Sequence, residues 1–177
     1  MSPSRSRLPA ILLLSAVCLL SVADLLVAQA KPACSTPEYR QFDFWVGDWT
    51  VTTPEGKLAG TNRIERTVDG CVLQEHWVGS QGGSGTSLNM WNAADQHWHQ
   101  VWMDAAGSML ELKGALEGSQ MIMSGEHSTG GASGGVTVER ITWTPQPGGS
   151  VRQLWESSKD AGSTWTTQFD GLYVRKP

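Results

Sequence analysis

The sequence has little positive charge and no cluster of it. Its 177 residues include 13 lysines and arginines against 17 aspartates and glutamates, for a formal net charge of −4. A mildly acidic chain without a basic patch is a poor candidate for binding nucleic acids or anionic membrane surfaces. We therefore expect neither of these as a partner.

Motifs for several common kinds of chemistry are also missing. The two Gly-rich segments, 79–85 and 128–135, lack the Lys-Ser/Thr pair of a phosphate-binding loop, so we predict flexible loops there. The sequence shows no Ser-His-Asp order and no nucleophile-elbow motif. His97 and His99 alternate on one strand, but no third metal ligand is evident. The sequence implies no metal and no cofactor, although haem ligation by one of these histidines stays open.

No helical period of apolar residues appears beyond Lys31. Instead, short runs of alternating apolar and polar residues are separated by Gly, Pro, Asn and Asp. The predicted strands are Asp48–Thr53, Thr61–Val68, Val72–Val78, Thr86–Trp91, Trp98–Asp104, Met109–Ala115, Gln120–Gly125, Val136–Thr144, Val151–Ser157 and Thr164–Arg175. Short turns between successive strands favour a barrel over a sandwich. We predict an all-β fold: a single antiparallel up-and-down β-barrel of about ten strands, with a short helical turn between Pro37 and Phe44.

A long apolar run is present at the N-terminus. Two arginines precede the run, which begins at Leu8, and Ala28-Gln29-Ala30 fits the small-x-small rule for signal peptidase. Asp24 interrupts the run, which weighs against a transmembrane anchor. The sequence predicts a cleaved Sec-type signal peptide over residues 1–30. One domain over residues 31–177 would remain in the bacterial periplasm or outside the cell, without a stable membrane anchor.

Three cysteines are present, and one of them, Cys18, would leave with the signal peptide. A lipoprotein anchor at Cys18 would need a small residue where Val17 stands. Cys34 and Cys71 remain, and an oxidising compartment favours one disulfide between them. Closing that loop would stabilise the fold by about 3–4 kcal/mol. Two free buried thiols are the alternative.

The segment Gly47-Asp48-Trp49 opens the first predicted strand. It resembles the Gly-x-Trp start of lipocalin-type barrels, in which a basic residue from the last strand covers the tryptophan. Arg175 is placed to do so through a cation–π contact. We expect Gly47, Trp49 and Arg175 to serve the structure.

A second motif, Ser158–Trp165, matches the Asp-box pattern S-x-D-x-G-x-T-W. The resemblance implies a β-hairpin in which Asp160 binds turn amides, Gly162 allows the turn and Trp165 packs beneath. Asp boxes recur in sialidase propellers, but a propeller needs at least four four-stranded blades, and this chain is too short for them. We therefore expect the box to be a fold element.

The chain carries nine tryptophans, all beyond residue 31. On three predicted strands they share a face with polar side chains: Trp98, Gln100, Trp102 and Asp104; Leu73, Glu75 and Trp77; and Ser87, Asn89 and Trp91. Such faces suit a partly polar cavity, and hydrogen-bond networks serving only the fold are the alternative. The residues predicted to line the interior are Glu75, Asn89, Gln100, Trp102, Asp104, Arg140 and Gln153.

The order of these motifs resembles the bacterial domain-of-unknown-function family numbered 1579. The segments that carry the resemblance are Phe42–Trp49, Asp69–Cys71 with Glu75, Gly85–Asn89, Trp98–Gly107, Arg140–Trp143, Val151–Glu156, Ser158–Trp165 and Gly171–Tyr173. The resemblance implies an exported barrel like those of lipocalins and fatty-acid-binding proteins. It brings no established activity and no catalytic residue, and Trp91 stands where a tyrosine is expected.

Three classes of function remain open. The first is an exported barrel, monomeric or homodimeric, that binds a small hydrophobic or amphipathic molecule. The second is a lipocalin-like isomerase, cyclase or hydrolase with Glu75 or Asp104 as general acid/base, for which a desolvated carboxylate facing an open volume would be the structural sign. The third is a carbohydrate-binding module, for which a filled core and a flat row of exposed tryptophans would be the sign.

Overall fold

The computed structural model describes residues 33–128 and 135–177. Within them the chain forms ten antiparallel strands that pair in sequence order and close into a barrel when β1 pairs with β10. The strands are β1 (Gly47–Thr52), β2 (Leu58–Thr67), β3 (Val72–Gly79), β4 (Ser84–Asn92), β5 (His97–Asp104), β6 (Met109–Glu117), β7 (Gln120–Ser128), β8 (Val136–Pro145), β9 (Val151–Ser158) and β10 (Thr166–Arg175). The predicted all-β barrel is confirmed, and every predicted strand is present.

The predicted signal peptide over residues 1–30 lies outside the described residues, as does most of the Gly-rich segment 128–135. In the described part of the chain, no helix is long and apolar enough to cross a membrane.

One end of the barrel, where β1 begins and β10 ends, is filled by aromatic side chains; we call it the closed end. Two 3-10 segments, Pro37–Arg40 and Asp43–Trp45, precede β1 and form the predicted helical turn. Phe42 stacks on Trp45 with ring centroids 4.9 Å apart. Its ring also lies 5.7 Å from Trp98 and 5.1 Å from Trp143. Burial of these large apolar rings stabilises the closed end.

The Gly-x-Trp prediction is confirmed at the closed end. The guanidinium of Arg175 lies 4.5 Å from the centre of the Trp49 ring and donates a hydrogen bond to the Val46 carbonyl at 3.1 Å. Gly47 has a φ of +144°, and a Cβ added there would collide with the Arg175 guanidinium. A glycine is therefore required for the arginine to reach the tryptophan.

The predicted disulfide joins Cys34 to Cys71, with Cα atoms 5.0 Å apart. It ties the segment before the 3-10 turns to the connection between β2 and β3. Arg40 supports the same junction by donating hydrogen bonds to the carbonyls of Cys34 and Gly70. The disulfide thus anchors the segment that fills the closed end.

The Asp box forms the predicted hairpin between β9 and β10. Asp160 accepts hydrogen bonds from the amide of Thr164 at 2.8 Å and from its hydroxyl at 2.6 Å, and these bonds lower the pKa of Asp160 to about 2. The Gly162 amide binds the Ser158 hydroxyl at 2.8 Å. The Trp165 ring lies beneath the guanidinium of Arg140, 3.8 Å away.

Candidate functional site

A layer of polar side chains crosses the middle of the barrel. Its members, which we call the polar layer, are inward-facing and buried: Asn62, Glu75, Ser87, Asn89, Gln100, Gln153 and Tyr173. They come from β2, β3, β4, β5, β9 and β10, so barrel closure is what brings them together. Buried polar groups need partners, and this layer supplies most of them internally.

Glu75 is at the centre of one half of the polar layer. Its carboxyl oxygens accept hydrogen bonds from Asn62 Nδ2 and from Ser87 Oγ, both at 2.6 Å. Burial raises the pKa of Glu75, and these two hydrogen bonds offset part of that increase. Asn89 extends the network by donating to Ser87 Oγ at 2.8 Å.

Tyr173 is at the centre of the other half. Its hydroxyl donates a short hydrogen bond to Gln153 Oε1 and accepts one from Asn62 Nδ2 at 3.4 Å. Burial, and next the negative charge of Glu75, raise the pKa of Tyr173 well above its ordinary value. Asn62 therefore links the two halves of the layer.

A cavity of about 190 Å³ lies against the polar layer, toward the end of the barrel opposite the 3-10 segments. We call this the open end. The cavity is lined by Glu75, Trp77, Gln100, Trp102, Leu110, Ile141, Gln153, Trp155, Gln168, Phe169 and Tyr173. Its floor is thus polar and its walls are largely aromatic, as in many small-molecule sites.

The aromatic walls are held by specific contacts. Trp77 and Phe169 meet edge to face, with centroids 5.9 Å apart and planes at 80°. The Trp155 indole nitrogen donates a hydrogen bond to Glu139 Oε2 at 2.7 Å. The Trp102 ring lies over Gly85 on β4, where an added Cβ would collide with it. These contacts give the walls a defined shape.

Two glutamines at the cavity each use only one of their two side-chain amide atoms, the nitrogen or the oxygen, for a hydrogen bond within the protein. Gln100 donates through Nε2 to Asn89 Oδ1 at 2.7 Å, and Gln153 accepts through Oε1 from Tyr173. Among the described residues, the Gln100 oxygen and the Gln153 nitrogen have no hydrogen-bond partner, and neither atom is sealed from the cavity. The floor therefore offers one acceptor and one donor to a ligand.

Four of the seven residues predicted to line the interior border the cavity: Glu75, Gln100, Trp102 and Gln153. Asn89 is buried on an inward face but lies outside the cavity lining, where it supports Gln100.

Asp104 and Arg140 do not line the cavity, contrary to expectation. Asp104 is at the end of β5, where its Oδ1 accepts hydrogen bonds from the amides of Ala106 and Ser108 and so caps the turn. Arg140 lies on the outer face because its neighbours Glu139 and Ile141 face inward. It donates to Glu156 Oε2 at 2.8 Å.

The sequence did not single out several important side chains. Tyr173 lies two positions before Arg175, so alternation along the strand puts both side chains on the same face. Because Arg175 covers Trp49 at the end of the barrel, the same rule could have placed Tyr173 inward. Trp155 shares the face of Gln153 by the same rule. Phe169 follows a register shift between Thr167 and Phe169, and alternation alone gives no sign of it.

The histidines lie away from the cavity. His99 bonds Oδ2 of Asp95, in the turn between β4 and β5, at 2.8 Å, and His76 bonds Glu65 Oε1 on the outer face at 3.0 Å. Within the part of the chain that the structure describes, no group of three His, Cys, Asp or Glu side chains is placed to hold a metal ion.

Comparison with models of known protein families and with curated proteins finds no match to this chain. The resemblance to the family numbered 1579 therefore stays a prediction, and the site has to be interpreted from its own chemistry.

Proposed function

We propose that the protein is an exported barrel that binds a small, largely apolar molecule carrying a polar group. The observation that carries this proposal is the cavity with aromatic walls and a floor at which Gln100 and Gln153 each keep one unpaired amide end. An apolar ligand body would displace water from the walls. Its polar group would satisfy the two amide ends, which otherwise need water.

The size of the cavity limits the ligand. A volume of about 190 Å³ is below the roughly 300–1,000 Å³ typical of drug-sized ligands. The rim tryptophans Trp77 and Trp102 are half-buried, and the cavity that they line is only partly enclosed. The ligand is therefore small, or it keeps part of its length outside the open end.

Export is proposed together with binding. The Cys34–Cys71 disulfide forms most readily in an oxidising compartment, in agreement with the predicted signal peptide. Such a location separates the protein from cytosolic nucleotide cofactors and favours a role in holding or carrying a compound.

Native mass spectrometry of protein purified from its own bacterium tests the proposal. We expect a mass excess that disappears on denaturation. The variant Leu110→Trp fills the cavity and should lose the excess, whereas Leu88→Trp, the same change on an exposed outer position, should keep it. If Leu110→Trp does not fold, Trp102→Ala replaces it, with Trp165→Ala as the control outside the barrel.

A bare wild-type mass would count against the proposal if, in addition, no small apolar compound changed the tryptophan fluorescence. The wall carries three tryptophans, so an occupied cavity has to alter their emission.

Catalysis by Glu75 is the second candidate function, because this carboxyl borders the cavity and burial raises its pKa. Binding is the better-supported function because both carboxyl oxygens already accept hydrogen bonds from the protein at 2.6 Å. Turnover of a bound compound that Glu75→Gln abolishes, without loss of binding, would establish the enzyme instead. Asp104 has no such role, since it lies outside the cavity lining.

A sugar-binding platform has the least support. Eight of the nine tryptophans belong to the core or pack against it. The ninth, Trp165, is covered by Arg140. A flat row of exposed rings, which a platform needs, is absent from the described residues.

A further inference from the structure

We propose that the cavity binds an organic ammonium ion, held by its aromatic walls and the Glu75 carboxyl group, with the Glu139 carboxyl group behind one wall. This inference rests on the proposed ligand-binding function and names the chemical class of the ligand.

The ionisable groups inside the barrel favour a positively charged ligand. Glu75 is 4% exposed and Glu139 is 6% exposed. Within the described residues neither forms a salt bridge, and no lysine, arginine or histidine lines the cavity. His127 shares the inward face of β7 but lies outside the lining. An interior with carboxyl groups and no cation disfavours an anion, such as a fatty acid carboxylate, and favours a cation.

The composition of the cavity walls also favours a cation. Trp77, Trp102, Trp155 and Phe169 surround one small volume. A cation over the face of such rings is attracted by their quadrupoles, and tryptophan provides the strongest attraction. The hydrogen bond from the Trp155 indole to Glu139 brings a carboxyl group directly behind one wall. Aromatic walls backed by a carboxyl group form a site typical for alkylammonium groups.

The floor of the cavity adds the unpaired oxygen of Gln100, a side chain that is 3% exposed and lines the cavity. A carbonyl oxygen accepts from an ammonium or hydroxyl group and also carries partial negative charge. Two features of the floor, the unpaired Gln100 oxygen and the acidic group of Glu75, therefore suit a ligand that brings positive charge. The Gln153 nitrogen would bind a hydroxyl or carbonyl oxygen on the same molecule.

The ionisation of Glu75 couples this binding to pH. The groups that face the carboxyl are Asn62 on β2, Ser87 on β4 and Tyr173 on β10, and none of them is cationic. Burial raises the pKa of Glu75, so without a bound cation this carboxyl holds its proton to a higher pH than an exposed glutamate does. A permanent cation favours the ionised form, so its binding releases that proton to solvent. The affinity for such a cation should therefore rise with pH.

Three probes of nearly equal shape and different charge test the inference. Choline is the cation, 3,3-dimethyl-1-butanol is its neutral isostere, and 3,3-dimethylbutanoate is the anion. Isothermal titration of the intact protein should show choline binding at least about tenfold more tightly than the alcohol, with the anion weakest. The choline affinity should increase between about pH 5 and pH 8.

Variants assign the effect to the site. Glu75→Gln should weaken choline binding by about tenfold and remove its pH dependence, while alcohol binding is kept. Glu111→Gln, an exposed outer carboxylate, should change neither affinity. Trp102→Leu at the half-exposed rim is an independent variant, and it should weaken choline binding more than alcohol binding.

The outcomes separate this inference from the proposed function. Binding of the alcohol or of the anion as tightly as choline would overturn the cation inference and leave the ligand-binding function standing. Failure of all three probes to bind would overturn the inference, and the native mass measurement would then decide the function by itself. Choline affinity unchanged by both Glu75→Gln and Trp102→Leu would also overturn the inference.

Discussion

The two ends of the barrel use the same residue type for opposite purposes. At the closed end, four tryptophans are fully buried: Trp45, Trp98 and Trp143 pack on Phe42, and Trp49 packs on Tyr173. At the open end, Trp77, Trp102 and Trp155 are half-buried and surround a cavity. Tryptophan content alone therefore does not indicate ligand binding. A tryptophan can line a binding site only where no other ring fills the space in front of its own ring.

The difference arises from the segment before β1. The two 3-10 turns place Phe42 and Trp45 in the closed end, and the disulfide at Cys34 anchors them. Among the described residues no equivalent segment enters the open end. The polar layer separates the closed end of the barrel from the open end. We therefore expect the closed end to determine stability and the open end to determine binding.

The largest expected effect on stability comes from replacing one tryptophan at either end of the barrel by alanine, in two separate variants. Trp45→Ala should lower the free energy of unfolding by about 3–5 kcal/mol because it empties a fully buried site. Trp102→Ala, at the half-exposed rim, should cost only about 1–2 kcal/mol. Urea unfolding followed by circular dichroism measures both. Equal losses of unfolding free energy in the two variants would show that the closed end does not contribute more to stability than the open end does.

The disulfide is expected to contribute almost as much to the closed end. Replacing Cys34 and Cys71 together by serine should lower the free energy of unfolding by about 3–4 kcal/mol, since the bridge closes a 37-residue separation. Urea unfolding of the variant and of the wild type gives the difference. The intact mass of the wild type should rise by two hydrogen atoms on reduction; an unchanged mass would mean that the thiols are free.

The polar layer makes stability depend on pH. The folded-state pKa of Glu75 lies above its unfolded value near 4.5, so its ionisation destabilises the folded protein. Stability attributable to Glu75 should fall as pH rises from about 4.5 through the raised pKa. The fall should be about 1.4 kcal/mol for each pH unit that separates the folded-state pKa from the unfolded one.

Glu75→Gln should remove this decline, because the amide keeps an oxygen for Asn62 without a charge. Urea unfolding at several pH values compares it with the wild type and with Glu111→Gln as the control. A decline of equal size in Glu75→Gln would assign the effect to another group. The loss of the Asp160 hydrogen bonds can be distinguished from the Glu75 effect, because it occurs as the pH falls from about 4 toward 2.

The smallest effect is expected where Arg175 covers Trp49. Arg175→Gln should lower the free energy of unfolding by about 0.5–1 kcal/mol, because the arginine is exposed and its cation–π contact is partly solvated. Arg63→Gln, an exposed arginine on an outer face, is the control. A cost equal to that of the control would mean that the contact adds no stability.

The strands could be predicted because their signal is local. Alternation, turn residues and the Asp box each occupy a few consecutive positions, and all of them appear in the structure where expected. The inward residues of β3, β4 and β5 could also be predicted, because each strand carries tryptophan on its inward face. In β8 both faces mix apolar and polar residues, so nothing in the strand itself excluded Arg140 from the interior.

By itself, the sequence determined the order of ten strands, the hairpin at Asp160 and the cysteines available to pair. Only the tertiary structure decided which side chains share the site. Asn62 and Tyr173 are separated by 111 residues and meet because β1 pairs with both β2 and β10. A hydrogen bond between such distant residues depends on barrel closure, which no local pattern encodes. The cavity depends on it too, since it is the volume that side chains from many strands leave unfilled.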